Sequence, residues 1–314
     1  MSFAVRTAPT PLPTAAAAQA AAAQAERRED PLGGILLLSL SLVIFSCSDA
    51  TAKYLTGELP VFEVIWLRYL AFATLLVPSA MRGGRAVLRS SRPGLQLARG
   101  LCMLGSGLLF VSALAFLPLA DATSIGFISP LFITALSIPF LGEQVGVRRW
   151  AAIVVGLIGV LIVVRPGTSA FQPAALLPVV SAFIWAIAVI LTRKLSGVDG
   201  TVTTLVYSSV SALVVMTVLV PFEWVTPSWR QLGLGVLYGM FATGGQWLIV
   251  LAYHRAAASV LAPLNYSQLV WSAALGFLVF HAVPDAWTLV GAAVIIGSGL
   301  YTAHRERVRG RAAG

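Results

Sequence analysis

Asp49 and Lys53 stand one helical turn apart in a stretch that otherwise carries no charge between Asp30 and Glu58. At that spacing two side chains share a helix face, and an ammonium can neutralise a carboxylate. One reading is an ion pair near the end of the first apolar run. The other makes Asp49 a carboxylate that faces a polar interior and senses a proton or a cation. Arg68 sits inside the next apolar run, flanked by Trp66, Leu67, Tyr69 and Leu70. Its planar guanidinium suits a carboxylate or a phosphate held through two parallel hydrogen bonds, and it suits equally an internal partnership with Asp49 or Glu63. Glu63 itself reads most simply as an acid in the first turn of a helix, where the dipole favours it.

Asn265, Gln268 and Ser272 follow one another at spacings of three and four, which aligns them on one helix stripe, with Tyr266 and Trp271 at its edges. Such a stripe within an apolar segment must face protein or water. Interhelical glue is one use for it. Lining of a cavity is the better fit, because large amides pack closely less well than Ser or Thr. Gly239, Thr243, Gln246, Val250 and Tyr253 form a comparable face, and so do Ser181, Trp185, Ala188 and Thr192. Faces that mix small, polar and aromatic groups suit an amphipathic organic molecule. For Trp185, ordinary packing is an equal alternative, and Tyr253 is also placed to anchor a helix end at a membrane surface. The pair Gly235 and Gly239 reads as a close-packing device.

Little here suggests catalysis. His254, His281 and His304 have no ligand spacing, and Cys47 and Cys102 lie in apolar runs as small buried hydrophobes. No metal, cofactor or catalytic set is expected. An intramembrane enzyme would need clustered groups at one depth, and no histidine lies deep in a span.

The elements that must position these residues are membrane helices. Of 314 residues, 58% are hydrophobic and 11% charged, against roughly 25% charged in ordinary soluble domains. Apolar runs of about the length that crosses the hydrocarbon as helix recur along the chain. They predict spans at 32–53, 61–80, 96–117, 121–141, 149–164, 174–194, 201–220, 231–253, 259–280 and 286–303. With the first residues placed inside, 17 basic residues fall on the cytoplasmic side, among them Arg89, Arg92, Arg99 and Arg255, while Lys53, Arg165 and Arg230 fall opposite. That bias predicts a multi-pass inner-membrane protein with both ends cytoplasmic. Basic residues dispersed over short connections also argue against nucleic acid. The expected partners are a small-molecule substrate and the lipid bilayer, and a homodimer stays open.

A shift of about 137 residues brings Leu114-Ala115-Phe116 onto Leu251-Ala252-Tyr253 and Trp150 onto Trp287, and each half has a proline-containing fourth span. Five spans per copy is an odd number, so the second copy enters the membrane from the opposite side. The organisation expected is a flexible tail over 1–31, a five-helix repeat over 32–168, a second over 169–303 and a basic tail over 304–314.

The stretches Asp49-Ala50-Thr51-Ala52-Lys53, Trp66-Leu67-Arg68-Tyr69, Leu117 to Thr123, Leu141-Gly142-Glu143, Ala256 to Leu264 and Gly297 to Tyr301 resemble the EamA-type ten-helix carriers of the drug/metabolite transporter superfamily. The resemblance covers nearly everything from Leu32 to about Glu306. It implies an all-α membrane fold of two inverted five-helix repeats around a central cavity, and a secondary transporter of amino-acid-like, nucleoside-like or flavin-like metabolites. Phe280-His281 stands where the first half has Gly142-Glu143, so a symmetric second carboxylate is not expected. The residues assigned to substrate on these grounds are Asp49, Lys53, Arg68, Trp185, Thr243, Gln246, Asn265, Tyr266, Gln268 and Trp271.

Overall fold

The computed structural model describes residues 30–82, 89–142, 146–168, 171–195, 199–256 and 258–312. The expected tail over 1–29 and the position of Glu143 lie outside them. Helix α1 (Pro31–Thr56) starts where Asp30 accepts a hydrogen bond from the Gly33 amide at 2.9 Å and Pro31 takes the first helical position, both ordinary start signals. Helices α2 (Val61–Arg82) and α3 (Pro93–Phe116) follow. α3 stops because Leu117 precedes Pro118, a position that favours extended backbone, and its φ of −104° and ψ of 151° are extended. The fourth predicted span is two helices, α4 (Leu119–Gly126) and α5 (Ser129–Leu141), with Pro130 in the first turn of the second.

Beyond α6 (Val147–Val164) the chain turns through a 3-10 segment (Pro173–Ala175) into α7 (Leu176–Leu195) and α8 (Thr201–Leu219). α9 (Trp229–Arg255) opens with a reciprocal cap in which the Ser228 side chain takes the Gln231 amide and the Gln231 side chain takes the Ser228 amide. The ninth predicted span is again broken, into α10 (Ala258–Leu261), a 3-10 turn (Ala262–Tyr266) and α11 (Ser267–Phe280). α12 (Ala286–Ala312) runs as helix through most of the predicted basic tail. Among the described residues, six stretches are long and apolar enough to cross a membrane, and shorter apolar helices occupy Ile153–Val164, Leu264–Phe280 and Ala286–Tyr301. The chain is an all-α membrane protein.

Where the halves correspond is corrected by the caps. α5 ends on Gly142 at φ 71°, and α11 ends on His281 at φ 54°. His281 therefore occupies the place of Gly142, one residue earlier than sequence comparison had it. A histidine held in the left-handed region costs about 1 kcal/mol that glycine avoids. His281→Gly is expected to stabilise the protein by about that amount, readable as a higher melting temperature in detergent; an unchanged or lower one would show that His281 makes a compensating contact.

Helix packing is reciprocal between the halves: α1 packs on α9 as α7 packs on α3, α2 on α9 as α8 on α3, and α11 on α1 as α5 on α7, while α2 meets α8 and α6 meets α12. The α2/α9 approach depends on missing side chains. A methyl added to Gly235 would meet Leu67, and one added to Gly239 would meet Ala71 and the Arg68 carbonyl, so this pair is the close-packing device its spacing suggested.

Acids tie the halves together at both ends of the bundle, Asp285 with Arg165 and Asp121 with Thr288 among them. At one end Glu58, in the α1–α2 connection, takes Arg230 Nη2 at 2.5 Å and Gln231 Nε2 at 3.0 Å from the start of α9. At the other, Asp199 in the α7–α8 connection takes the Ser90 hydroxyl at 2.5 Å, the Ser91 amide at 2.9 Å and Gln96 Nε2 at 2.8 Å from the start of α3.

Candidate functional site

α1, α2, α9 and α11 bring a cluster of polar side chains together inside this apolar bundle. Gln268 Nε2 of α11 donates to Asp49 Oδ2 of α1 at 3.4 Å, and one turn further along both helices the Ser46 and Ser272 hydroxyls are 3.5 Å apart. The amide stripe predicted on α11 thus meets a matching stripe on α1. Asn265 falls in the 3-10 turn that precedes α11, so the stripe as a continuous helix face begins only at Gln268.

Arg68 lies across from Asp49, within electrostatic reach of it. The two do not close into an ion pair among the described residues. Arg68 Nη1 instead donates to the Tyr238 hydroxyl of α9 at 3.2 Å, and its guanidinium carbon lies 5.3 Å from the Tyr238 ring centre and 5.7 Å from that of Tyr69. Two aromatic faces spread a cation's charge and hold its plane. Tyr238, 2% exposed, was not singled out from the sequence. It lies on the α9 face away from Thr243, next to Gly239.

Lys53 belongs elsewhere. Its ammonium donates to the Leu114 and Leu117 carbonyls, both at 2.7 Å, at the C-terminal end of α3. It neutralises the exposed carbonyls of a helix end and lies 5.5 Å from the Phe280 ring centre. Of the two readings of Asp49, the ion pair with Lys53 does not form among the described residues, because this helix end takes the ammonium.

The remaining candidates divide. Thr243 donates to the Gly239 carbonyl of its own helix at 2.7 Å. Tyr266 packs against Phe127 with ring centres 5.4 Å apart and covers Gly299. Gln246 is half-buried, and Trp185 and Trp271 are 39% and 41% exposed. None of these three is joined to the Asp49 cluster by a described hydrogen bond.

Two buried charged groups make contacts that their spacing in the sequence does not show, although Glu63 does sit in the first turn of α2 as expected. Glu63 is 0% exposed, accepts the Val225 amide at 3.3 Å through Oε2, and has no hydrogen-bond partner for Oε1. Arg99 had been counted among connecting residues that orient the chain. It lies six residues into α3 and is 7% exposed, because Thr192 of α7 and Ser208 of α8 close over its guanidinium.

Comparison with known proteins matches this arrangement to the EamA-like transporter family twice, over residues 32–165 and 172–302. An S-adenosylmethionine uptake transporter of Rickettsia felis is 32% identical over 88% of this chain and 94% of its own length. A riboflavin transporter of Rhizobium johnstonii is 30% identical over 88% and 93%, and a pseudopaline exporter of Pseudomonas aeruginosa is 31% identical over 84% and 93%. One protein of known crystal structure superposes with a TM-score of 0.62 at 20% identity, covering 88% of this chain and 98% of that one, a likeness of fold. With two family matches that together span most of its length, the chain belongs to the EamA-like transporter family.

Proposed function

We propose that this protein is a secondary transporter that carries a small organic metabolite across the bacterial inner membrane by alternating access, with both termini cytoplasmic and no enzymatic step. The observation that carries this reading is the meeting of Asp49, Arg68, Tyr238 and Gln268, contributed by both halves of the chain, inside a bundle whose outer surface is apolar. Charged groups within a span are costly and mark substrate or ion paths. Two halves that pack reciprocally support an inverted duplication, the arrangement that lets one interior site open to either face. The relatives named as moving S-adenosylmethionine, riboflavin and pseudopaline support an organic cargo. Asp49 is the coupling carboxylate if transport is proton-linked, and the half-exposed rings of Trp185 and Trp271 supply aromatic surface along the path.

Uptake of labelled S-adenosylmethionine, methionine and riboflavin by proteoliposomes tests the reading directly. At least one should accumulate above protein-free liposomes, and failure of all three, together with nucleosides and other amino acids, would reject it. Gln268→Ala removes the amide that donates to Asp49 and is expected to slow uptake about tenfold, the value of one interior hydrogen bond. Trp271→Ala is expected to weaken apparent affinity at unchanged expression. Normal kinetics in both variants would move the site away from α11.

A further inference from the structure

Arg99 presents a problem that the fold does not explain. Its Nε donates to the Thr192 hydroxyl of α7 at 2.6 Å and its Nη1 to the Ser208 hydroxyl of α8 at 2.5 Å. Both hydroxyls already spend their own hydrogens on backbone carbonyls one turn back, Thr192 on Ala188 and Ser208 on Thr204. They hold the guanidinium in place and leave its charge uncompensated. At that end of the bundle Asp199 is the natural counter-ion, yet its oxygens are occupied by Ser90, Ser91 and Gln96. No carboxylate reaches Arg99 among the described residues.

A buried cation held only by neutral groups is expensive, and its removal to a hydrophobic isostere would ordinarily stabilise the protein. Gly100, beside it, has Ser208 and Ser211 pressed against the place of a side chain, so α3 and α8 close tightly around the arginine. The position relative to Arg68 is informative. Arg68 lies seven residues into α2 from the end that Glu58 ties, while Arg99 lies six residues into α3 from the end that Asp199 ties, about 9 Å along the axis. Tyr69 stands in electrostatic reach of both. Two arginines therefore enter the bundle from opposite ends, one on α2 and one on α3, and the Tyr69 ring lies against the first of them.

We propose that Arg99 is a second holding point for an anionic oxygen group of the cargo, a carboxylate or a phosphate, which Arg68 receives toward one face and Arg99 receives toward the other. The cargo class is then an organic molecule bearing such a group. Two stations of like charge let an anion advance without entering hydrocarbon unpaired, and Thr192 and Ser208 orient the second fork before it arrives. This rests on the carrier reading above.

The test uses the full chain in proteoliposomes with S-adenosylmethionine, methionine and riboflavin as probes. Wild-type protein should transport one of the two carboxylates, with the free acid competing at least about tenfold better than its methyl ester, as loss of a charged hydrogen bond requires. Arg99→Gln should abolish that preference and slow transport about tenfold or more, Arg99→Lys should retain part of it, and Arg92→Gln, on the exposed side of the same region, should behave as wild type. If Arg99→Gln does not elute as folded protein, Arg99→Lys decides: wild-type preference for acid over ester overturns the proposal, and a reduced preference supports it. Transport of riboflavin alone, or a folded Arg99→Gln with wild-type rate and preference, overturns it while leaving the carrier intact. Absence of all transport by wild type would instead reject the carrier reading. The assays are run in phosphatidylcholine with and without phosphatidylglycerol; an Arg99 effect seen only with the anionic lipid assigns the arginine to a lipid phosphate and overturns the proposal.

Discussion

Arg68→Gln is expected to reduce transport about 100-fold, and Asp49→Asn to do so comparably, since each removes a charged contact of the kind worth several kcal/mol at a recognition site. Stability should respond in a different pattern. Removing either charge leaves the other facing the bundle interior without its opposite, at a cost on the order of 2 kcal/mol for groups that are half-buried and linked at longer range than an ion pair. The double variant replaces both charges by amides and should recover part of that loss, since neither charge then stands alone. Transport should not recover. Melting curves and initial uptake rates on the four proteins separate the two effects: if the double variant regains transport together with stability, the pair is structural and the substrate lies elsewhere. Asp49→Asn should also flatten any dependence of uptake on pH near neutrality, whereas an unaltered profile would pass the coupling role to Glu63, whose buried carboxylate has one oxygen without a partner.

The second large effect concerns the acids at the two ends. Glu58 and Asp199 each tie a connection of one half to the first turns of a helix in the other, and both ties are closed here. An alternating cycle must release one at a time. In a background where Cys47 and Cys102 are replaced by Ala, Asp199→Ala should raise the reactivity of a cysteine introduced by Thr204→Cys toward a membrane-impermeant maleimide several-fold. Glu58→Ala should do the same for Leu59→Cys at the opposite end, each leaving the other end unchanged. Both substitutions opening one end, or neither opening any, would remove these contacts from the transport cycle. The ties are not pH switches near neutrality. Hydrogen bonds from Ser90, Ser91 and Gln96 hold the Asp199 carboxyl below its usual range, and those from Arg230 and Gln231 do the same for Glu58. A carboxylate with a depressed value contributes its tie fully above about pH 4 and loses it only as pH falls further. Any change of rate between pH 6 and 8 must therefore come from groups other than these two acids.

Chain composition and the recurrence of apolar runs were enough to make this an all-α membrane protein, because hydrocarbon leaves no other way to satisfy so many backbone groups. The family resemblance was equally legible, since its motifs are contiguous in sequence. Of the candidate residues, Asp49, Arg68 and Gln268 were identifiable because charge and large amides are scarce in such runs, and each scarcity has a physical cause. What each charge touches was not legible. Lys53 had two acceptors within reach, and which one it takes depends on where α3 ends, a matter settled by Pro118 and by the packing of α3 on α1. Tyr238 gave no signal, because a tyrosine among glycines on α9 reads as ordinary packing until α2 approaches close enough for its hydroxyl to meet Arg68. Arg99 was incompletely read for a related reason: beside Arg92 and Arg89 it counts as an orienting charge at the start of the third span, and only the closure of α7 and α8 around it turns the same residue into a buried cation. Local sequence decides which segments leave water, since that depends on the summed transfer of neighbouring side chains. Partnerships between segments far apart in the chain depend on helix ends and crossing distances, so tertiary structure alone decided them.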